Sequence, residues 1–268
     1  MPGVHPAAVV HPSAQIDPTA AVGPFAVIGE DVVIGADCSI GAHAHVEHTH
    51  MGKGNRLFPG CYVGGAPQDL KYAGEKTRLV MGDKNVVREC VTLNRGTNAS
   101  GETLIGSNCL FMAYCHVAHD CRIGDGVIVV NSVQLAGHVE IGDYAVLGGC
   151  AAVHQFVRIG KYSMLGGGSM AGKDLPAFCV CQGDRATLRG LNLVGMRRAG
   201  LPRETISAMK EAYKALFMAG TPLEAALAAL KGSSEVTEVL EMVQFIERSQ
   251  RGVMRPATGA LAEEEVSL

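Results

Sequence analysis

The sequence has no tryptophan, and aromatic residues make up only 5% of it. A core built around large rings is therefore excluded. Charged residues reach 18%, below the usual quarter. Lys and Arg total 23 against 26 Asp and Glu, a net charge of -3, so no overall basic field exists to hold nucleic acid. No apolar run approaches the ~20 residues that span a bilayer. Met1 to Val10 lacks a basic segment followed by an apolar one, so no signal peptide is expected. These absences predict a soluble, cytoplasmic protein with no nucleic-acid partner and no membrane insertion. The nine cysteines include no C-x-x-C pair, which removes the common zinc-ribbon and redox spacings, and they are read as reduced.

Glycine is abundant instead, with 34 in 268 residues. An aliphatic residue recurs every six positions: Val4, Val10, Ile16, Val22, Ile28, Ile34, Ile40 and Val46. The ladder resumes at Met51, Leu57 and Val63, returns at Met81, Val87 and Leu93, and runs unbroken from Ile105 to Ala171. The fifth residue of each unit is small, as in Ala20, Ala26, Cys38, Ala44, Cys109, Cys115 and Cys121, so these cysteines are read as packing residues. Neither an α-helix nor an ordinary strand has a period of six. A coil with three flat sides does: each unit supplies one short strand and one corner, and three units close a turn. Successive turns stack as parallel strands about 4.8 Å apart. The expected fold is mainly β, a parallel β-helix of hexapeptide repeats.

The ladder breaks at Gly64–Val80 and Arg95–Leu104, which read as loops extruded from the prism, where function commonly sits. After Pro176 the period ends. Five arginines (185, 189, 197, 198 and 203) follow with no acid among them, and helical spacing begins at residue 203. Thr221, Pro222 and Glu224 read as a capping box for a second helix, and Ser234 as the cap of a third. The expected organisation is a β-helix over 1–184, a helical domain over 185–256 and a disordered tail over 257–268.

If eighteen residues complete one turn, His119 lies beside Gly137, and Gly137 beside Gln155. Asp120 then lies beside His138, and His116 beside Gln134. An imidazole next to a carboxylate can take a proton from a hydroxyl at neutral pH. A glycine one turn away can offer its N–H to a developing oxyanion. This combination suits acyl transfer from a thioester to an alcohol, without a Ser or Cys nucleophile. Corner residues of such coils are commonly just solvated, but the clustering of His116, His119, His138 and His154 beside an Asp favours function. Three-histidine zinc sites occur on the same architecture in γ-class carbonic anhydrases, so a metal reading competes. His43, His45, His48 and His50 fall at different hexad positions and are read as a polar face rather than a ligand set. Gly166-Gly167-Gly168 lacks the GK[ST] of a phosphate-binding loop and reads as a corner.

The strings Gln68-Asp69-Leu70-Lys71-Tyr72-Ala73-Gly74-Glu75, His116-Val117-Ala118-His119-Asp120-Cys121, Leu135-Ala136-Gly137-His138 and Val153-His154-Gln155-Phe156 closely resemble the acyl-[acyl-carrier-protein]–UDP-N-acetylglucosamine O-acyltransferases. That family begins lipid A biosynthesis. The resemblance covers nearly the whole chain and implies a left-handed coil, an exception to the usual crossover rule, followed by a C-terminal α-helical domain. It implies His119 as general base toward the sugar 3-hydroxyl, Asp120 as its support and Gly137 as the oxyanion donor. Asp69, Lys71, His116, His138, His154 and Gln155 match positions that bind the sugar nucleotide or the acyl donor. Asn192 and Arg198 match positions reaching the nucleotide from a neighbouring subunit, and Gly167 the position where the acyl tail ends, implying a longer 3-hydroxyacyl chain. The implied partners are acyl carrier protein, UDP-N-acetylglucosamine and two further copies in a homotrimer. No cofactor or metal is implied, since 4′-phosphopantetheine arrives on the carrier protein. The arginines of 185–203 would dock that acidic carrier.

The chain departs from the family pattern at Asn94, Arg185, Val194 and Ala199, which bears on nucleotide contacts more than on chemistry. Two alternatives remain: a related enzyme using a 3-amino UDP-sugar acceptor, and a noncatalytic β-helix that only binds or assembles. The related N-acyltransferases carry a domain before the hexads, whereas here the ladder starts at Val4.

Overall fold

The computed structural model describes residues 2–257. Two-residue strands recur every six residues, and each pairs in parallel with the strand three units later. Three sheets of eleven, nine and eight strands form the faces of a triangular prism. In each strand one residue points in and its neighbour points out. Inward rungs such as Val117, Leu135, Leu147 and Leu165 are fully buried, each worth about 1.5–3 kcal/mol. The first rungs are less covered. Val4 and Val10 remain 46% and 36% exposed, because among the described residues no coil lies beneath them.

The outward rows give each face its character. One face presents Val86, Leu110, Ile128, Val146, Met164 and Val180, an aliphatic row. The next presents His45, Tyr62, Thr92, His116 and Gln134. The third presents Arg122, Glu140 and Arg158. We refer to them as the aliphatic, histidine and charged faces.

The corners obey one local rule. From Val22 onward the third residue after most rungs takes a left-handed backbone, with φ 59° at Asp120, 61° at His138 and 63° at Phe156. That is the third residue of a type II turn, and the residue before it is one where proline is favoured. Pro24 and Pro59 stand there, before left-handed Phe25 and Gly60, while Pro6, Pro12 and Pro18 hold the same place in the first coil, where the next residue is not left-handed. Proline has no N–H to lose, so the coil ladder makes no demand on the N–H at this position.

The two ladder breaks are loops, between strands Tyr62–Gly65 and Arg78–Met81 and between Thr92–Asn94 and Glu102–Ile105. Each joins the histidine sheet to the charged sheet, so both emerge on one edge. His43 stacks on Phe25, His45 on Tyr62, and His50 faces Asp31, so the His43–His50 segment disperses as expected. Burial pushes the Cys61 and Cys121 thiols up to about 12, which suits packing rather than reactivity.

The aliphatic sheet outlasts the hexad ladder. Cys179–Gln182 adds a parallel strand and Thr187–Leu191 folds back antiparallel to it. The expected boundary after residue 184 thus lies within a hairpin. Four helices follow: α1 (Leu193–Arg198), α2 (Arg203–Phe217), α3 (Leu223–Ser233) and α4 (Thr237–Glu247). Two capping expectations fail. Pro222 keeps ψ at 134°, so α3 starts one residue late and Thr221 makes no cap. Ser234 ends α3, its hydroxyl accepting the Val236 N–H, and α4 starts at Thr237 without a side-chain cap. Buried Asp174 ties the helices to the prism, accepting the Arg158 N–H at 2.8 Å and the Ser249 hydroxyl at 2.7 Å. The tail expected over 257–268 lies, from 258 onward, outside the described residues.

Candidate active site

The eighteen-residue register holds through the second half of the prism: His116 pairs with Gln134, and Val117 with Leu135. It brings His119, Asp120, Gly137 and His138 onto the edge where both loops emerge. His119 Nδ1 lies 2.7 Å from Asp120 Oδ2. The Asp120 side chain is fully buried. Burial acts most strongly on it and pushes its pKa up. Hydrogen bonds from Ser100, His119 and Thr97 together outweigh that and hold the carboxyl at about 2. An ionised carboxylate only accepts, so neutral His119 carries its proton on Nδ1 and leaves Nε2 as the basic nitrogen.

Gly137 completes the corner. An added Cβ there would lie 2.6 Å from His119 Cε1 and 2.7 Å from Nε2, so the ring occupies space that only glycine leaves open. The Gly137 N–H sits at the corner position that the ladder leaves free. On the edge between the charged and aliphatic faces the same N–H groups are capped by side chains. Lys53 N–H goes to Asp83, Asp83 N–H to Ser107, Ser107 N–H to Asp125 and Asp125 N–H to Asp143. Among the described residues nothing accepts from Gly137 N–H. It is a free donor beside a free imidazole nitrogen.

His138 stands edge-on to His119, ring centroids 5.2 Å apart, and stacks on Phe156 at 4.4 Å. Burial, aided by His119 and opposed by Asp120 and Asp69, lowers its pKa. Burial and His119 also lower that of His116, whose Nδ1 meets the Thr92 hydroxyl at 2.8 Å. Both imidazoles are therefore neutral at pH 7. Asp69 and Lys71 lie on the first loop of this edge, Asp69 near enough to act on His138 and Lys71 exposed. Exposed His154 and Gln155 sit one coil beyond.

Other expected residues lie elsewhere in the chain. Gly167 is on the edge between the aliphatic and histidine faces, over Gly149. Asn192 is anchored on the edge between the charged and aliphatic faces, its amide donating to the Tyr162 carbonyl and accepting the Gly195 N–H as the cap of α1. Exposed Arg198 ends that helix. One chain therefore does not bring Asn192 and Arg198 to its own His119.

Sequence reasoning missed the groups that hold Asp120. Thr97 donates to it from both N–H (3.0 Å) and hydroxyl (2.8 Å), Ser100 donates its hydroxyl, and the Thr103 hydroxyl accepts the Asp120 N–H. The loop lengthens its coil, so Thr97 lies 23 residues from Asp120 and escapes eighteen-residue arithmetic. The one signal was that the loop interrupts the ladder just before the His-Asp corner. His119, Asp120 and His138 offer ligand atoms within 4.8 Å of one another. The Asp120 oxygens already accept four donors, which leaves a cation little to coordinate. No helix among the described residues is long and apolar enough to cross a membrane.

Comparison with known proteins agrees with this architecture. A family model described as bacterial transferase hexapeptide (six repeats) matches residues 7–48 and 102–137. One described as UDP N-acetylglucosamine O-acyltransferase, domain 2, matches 174–254 and so begins at Asp174. The acyl-[acyl-carrier-protein]–UDP-N-acetylglucosamine O-acyltransferase of Anaeromyxobacter sp. (strain Fw109-5) is 49% identical over 209 residues, 77% of this chain and 81% of that protein. The protein of the same name from Halorhodospira halophila is 46% identical, again over 77% of this chain and 81% of that one. The solved structure of LpxA from Acinetobacter baumannii matches with a TM-score of 0.91 at 41% identity, covering 94% of this chain and 99% of that one. The prism is accordingly a left-handed β-helix, the hexads having given the coil and the resemblance its hand. With the repeat, the helical end and most of the length in common with these relatives, the chain belongs to the acyl-[acyl-carrier-protein]–UDP-N-acetylglucosamine O-acyltransferase family.

Proposed function

We propose that the protein moves a 3-hydroxyacyl chain from acyl carrier protein to the 3-hydroxyl of UDP-N-acetylglucosamine, the first step of lipid A biosynthesis. One observation carries the reading: the free Nε2 of His119 and the unclaimed N–H of Gly137 share one corner. His119 Nε2 takes the proton of the 3-hydroxyl as that oxygen attacks the thioester carbonyl. The N–H of Gly137 receives the oxyanion of the tetrahedral intermediate. The C–S bond then breaks, and His119 returns its proton to the departing phosphopantetheine sulfur. Asp120 keeps the imidazole in the required tautomer and stabilises its charged form. No covalent acyl-enzyme, resident cofactor or metal takes part.

His116, His138, His154, Gln155, Asp69 and Lys71 surround this corner and bind the two substrates. The pyrophosphate meets Arg198 of a neighbouring copy, since a guanidinium suits a diphosphate. A homotrimer supplies that copy, with the aliphatic row from Val86 to Val180 as the buried seam. The exposed arginines of 185–203 dock the acidic carrier protein. The bare furrow at Gly149 and Gly167 leaves room for a long acyl tail. The reaction takes place in the cytoplasm.

The test is direct. Purified protein, 3-hydroxyacyl carrier protein and UDP-N-acetylglucosamine are expected to yield acylated sugar nucleotide by mass spectrometry. His119→Ala lowers turnover by about 10²–10⁴ with an unchanged melting curve. A folded His119→Ala variant with near-normal turnover sinks the mechanism.

A further inference from the structure

We infer that Thr97 and Ser100, on the loop that interrupts the ladder before the His119-Asp120 corner, are positioning residues that saturate the Asp120 carboxylate and thereby reserve both His119 and His138 for substrate. The inference rests on the reading of His119 as base. A carboxylate has about four lone-pair sites. Asp120 fills them with His119 Nδ1–H, Thr97 N–H, the Thr97 hydroxyl and the Ser100 hydroxyl. The Thr97 hydroxyl accepts the Ala99 N–H at 3.2 Å, which turns its own proton toward Asp120. The Ser100 hydroxyl also lies 2.8 Å from the Glu102 carbonyl, but its one proton is better spent on a charge.

The loop is built to hold this grip. Gly101 N–H returns to the Thr97 carbonyl at 2.7 Å. A Cβ on Gly96 would lie 2.4 Å from the Glu102 nitrogen, so only glycine lets the neck close. Arg95 at the base is committed to Glu47 and Tyr72, and Glu75 to the Ala73 and Asn98 N–H groups, so neither charge competes for the corner. The titratable groups that do face the dyad are His116, His138 and, through His138, Asp69.

Saturation has two consequences. His138 Nε2 stays 3.8 Å from Asp120 Oδ2, beyond hydrogen-bond reach. The donors also spread the carboxylate charge, which weakens its hold on a proton parked on His119. With a donor removed, Asp120 holds the protonated base more tightly, and the base is idle over a wider pH range. The acid limb of the pH–rate profile then moves upward.

The experiment compares wild type, Ser100→Ala, Thr97→Val and the hydroxyl-retaining Ser100→Thr and Thr97→Ser. Acyl transfer from 3-hydroxyacyl carrier protein to UDP-N-acetylglucosamine is measured from pH 5 to 9. Ser100→Ala and Thr97→Val are expected to lower kcat about tenfold with KM little changed, and to move the acid limb up by about 0.5–1 unit. The conservative pair restores the wild-type limb. In parallel, ¹H NMR follows the imidazole proton that His119 shares with Asp120, which moves further downfield in Ser100→Ala. An active wild type whose Ser100→Ala limb and proton resonance stay put, or move the other way, overturns the inference. A wild type that transfers no acyl group, but whose shared proton shifts as stated in Ser100→Ala, overturns the functional reading and leaves the grip on Asp120 standing. Folding of each variant is checked by thermal melting, and Ser100→Ala suffices alone if Thr97→Val does not fold.

Discussion

Gly137→Ala isolates the steric fit of the proposed active corner from its chemistry. The variant keeps the backbone N–H, so the oxyanion donor is retained. Backbone strain is not at issue either, because the left-handed residue of this corner is His138, at φ 61°. What changes is one methyl group, placed 2.6 Å from His119 Cε1 where ordinary contact begins near 3.4 Å. The ring must therefore retreat by about 0.8 Å. The 2.7 Å bond to Asp120 cannot survive such a shift unless the carboxylate follows. That carboxylate is pinned by Thr97 and Ser100. Overpacking a site of this kind costs about 1–3 kcal/mol, and a misplacement near 1 Å costs about 10² in rate. We expect kcat for acyl transfer to fall by about that factor, with KM within a few-fold. The control is Gly172→Ala, where an added Cβ meets nothing within 4 Å, and both rate and melting temperature are expected to hold. A folded Gly137→Ala enzyme with wild-type turnover would refute the claim that His119 must occupy the space above Gly137.

The remaining predictions concern stability and assembly. Asp120 has its carboxyl held at about 2 against an ordinary 3.8, so its contribution is fully present above about pH 4 and is lost as pH falls toward 2. That contribution is on the order of 2 kcal/mol, and in acid melts Asp120→Asn is expected to show a flatter dependence than wild type; equal slopes would show that the carboxylate is not selectively stabilised. Asp174→Ala strands the Arg158 N–H and the Ser249 hydroxyl and is expected to cost about 2–4 kcal/mol in urea unfolding, with α4 the first helix to lose amide protection. Val146→Asp places a charge in the middle of the aliphatic row; sedimentation is expected to show trimers for the wild type and monomers for the variant, and a monomeric wild type or a trimeric variant would refute that seam.

The prism was legible because its rule is local. One inward residue per six fixes the strand, and three units fix the register, so the pairing of His116 with Gln134 and the approach of His119 to Gly137 follow from counting. Counting fails where the chain leaves the prism. Thr97 reaches Asp120 only because its loop folds back over the edge, and Thr92 meets His116 across 24 residues rather than eighteen. Counting is also blind to the open end of the prism. A regular rung at Val4 looks the same in sequence as one at Val117, yet only the latter has a coil on either side. At Pro222 the residue types of a capping box were present, but its extended ψ of 134° moved the helix start past Thr221. Asn192 shows a different limit. Its amide donates to the Tyr162 carbonyl and accepts the Gly195 N–H within its own chain. Those two bonds fix the orientation of the side chain and leave one amide N–H and one oxygen lone pair over, a division of labour that sequence matching does not reveal.

The distribution of the candidate residues over different edges makes a claim about assembly that can be tested in solution. His119 and both loops share one edge, whereas the segment ending at Arg198 is fastened to another through Tyr162 and Phe178. If one cleft uses both, each must come from a different copy. Chains carrying His119→Ala and chains carrying Arg198→Ala, each nearly inactive alone, are then expected to regain activity when co-expressed. In randomly mixed trimers about one quarter of the clefts pair an intact His119 edge with an intact Arg198 from the next copy. The whole co-expressed population should therefore show about a quarter of wild-type turnover, trimers purified for carrying both variants about a third, and the two homotrimers mixed without exchange none. If the co-expressed protein stays as inactive as its parents, the cleft is not shared in this way. Arg198 would then act on the fold or on the carrier protein rather than on the nucleotide.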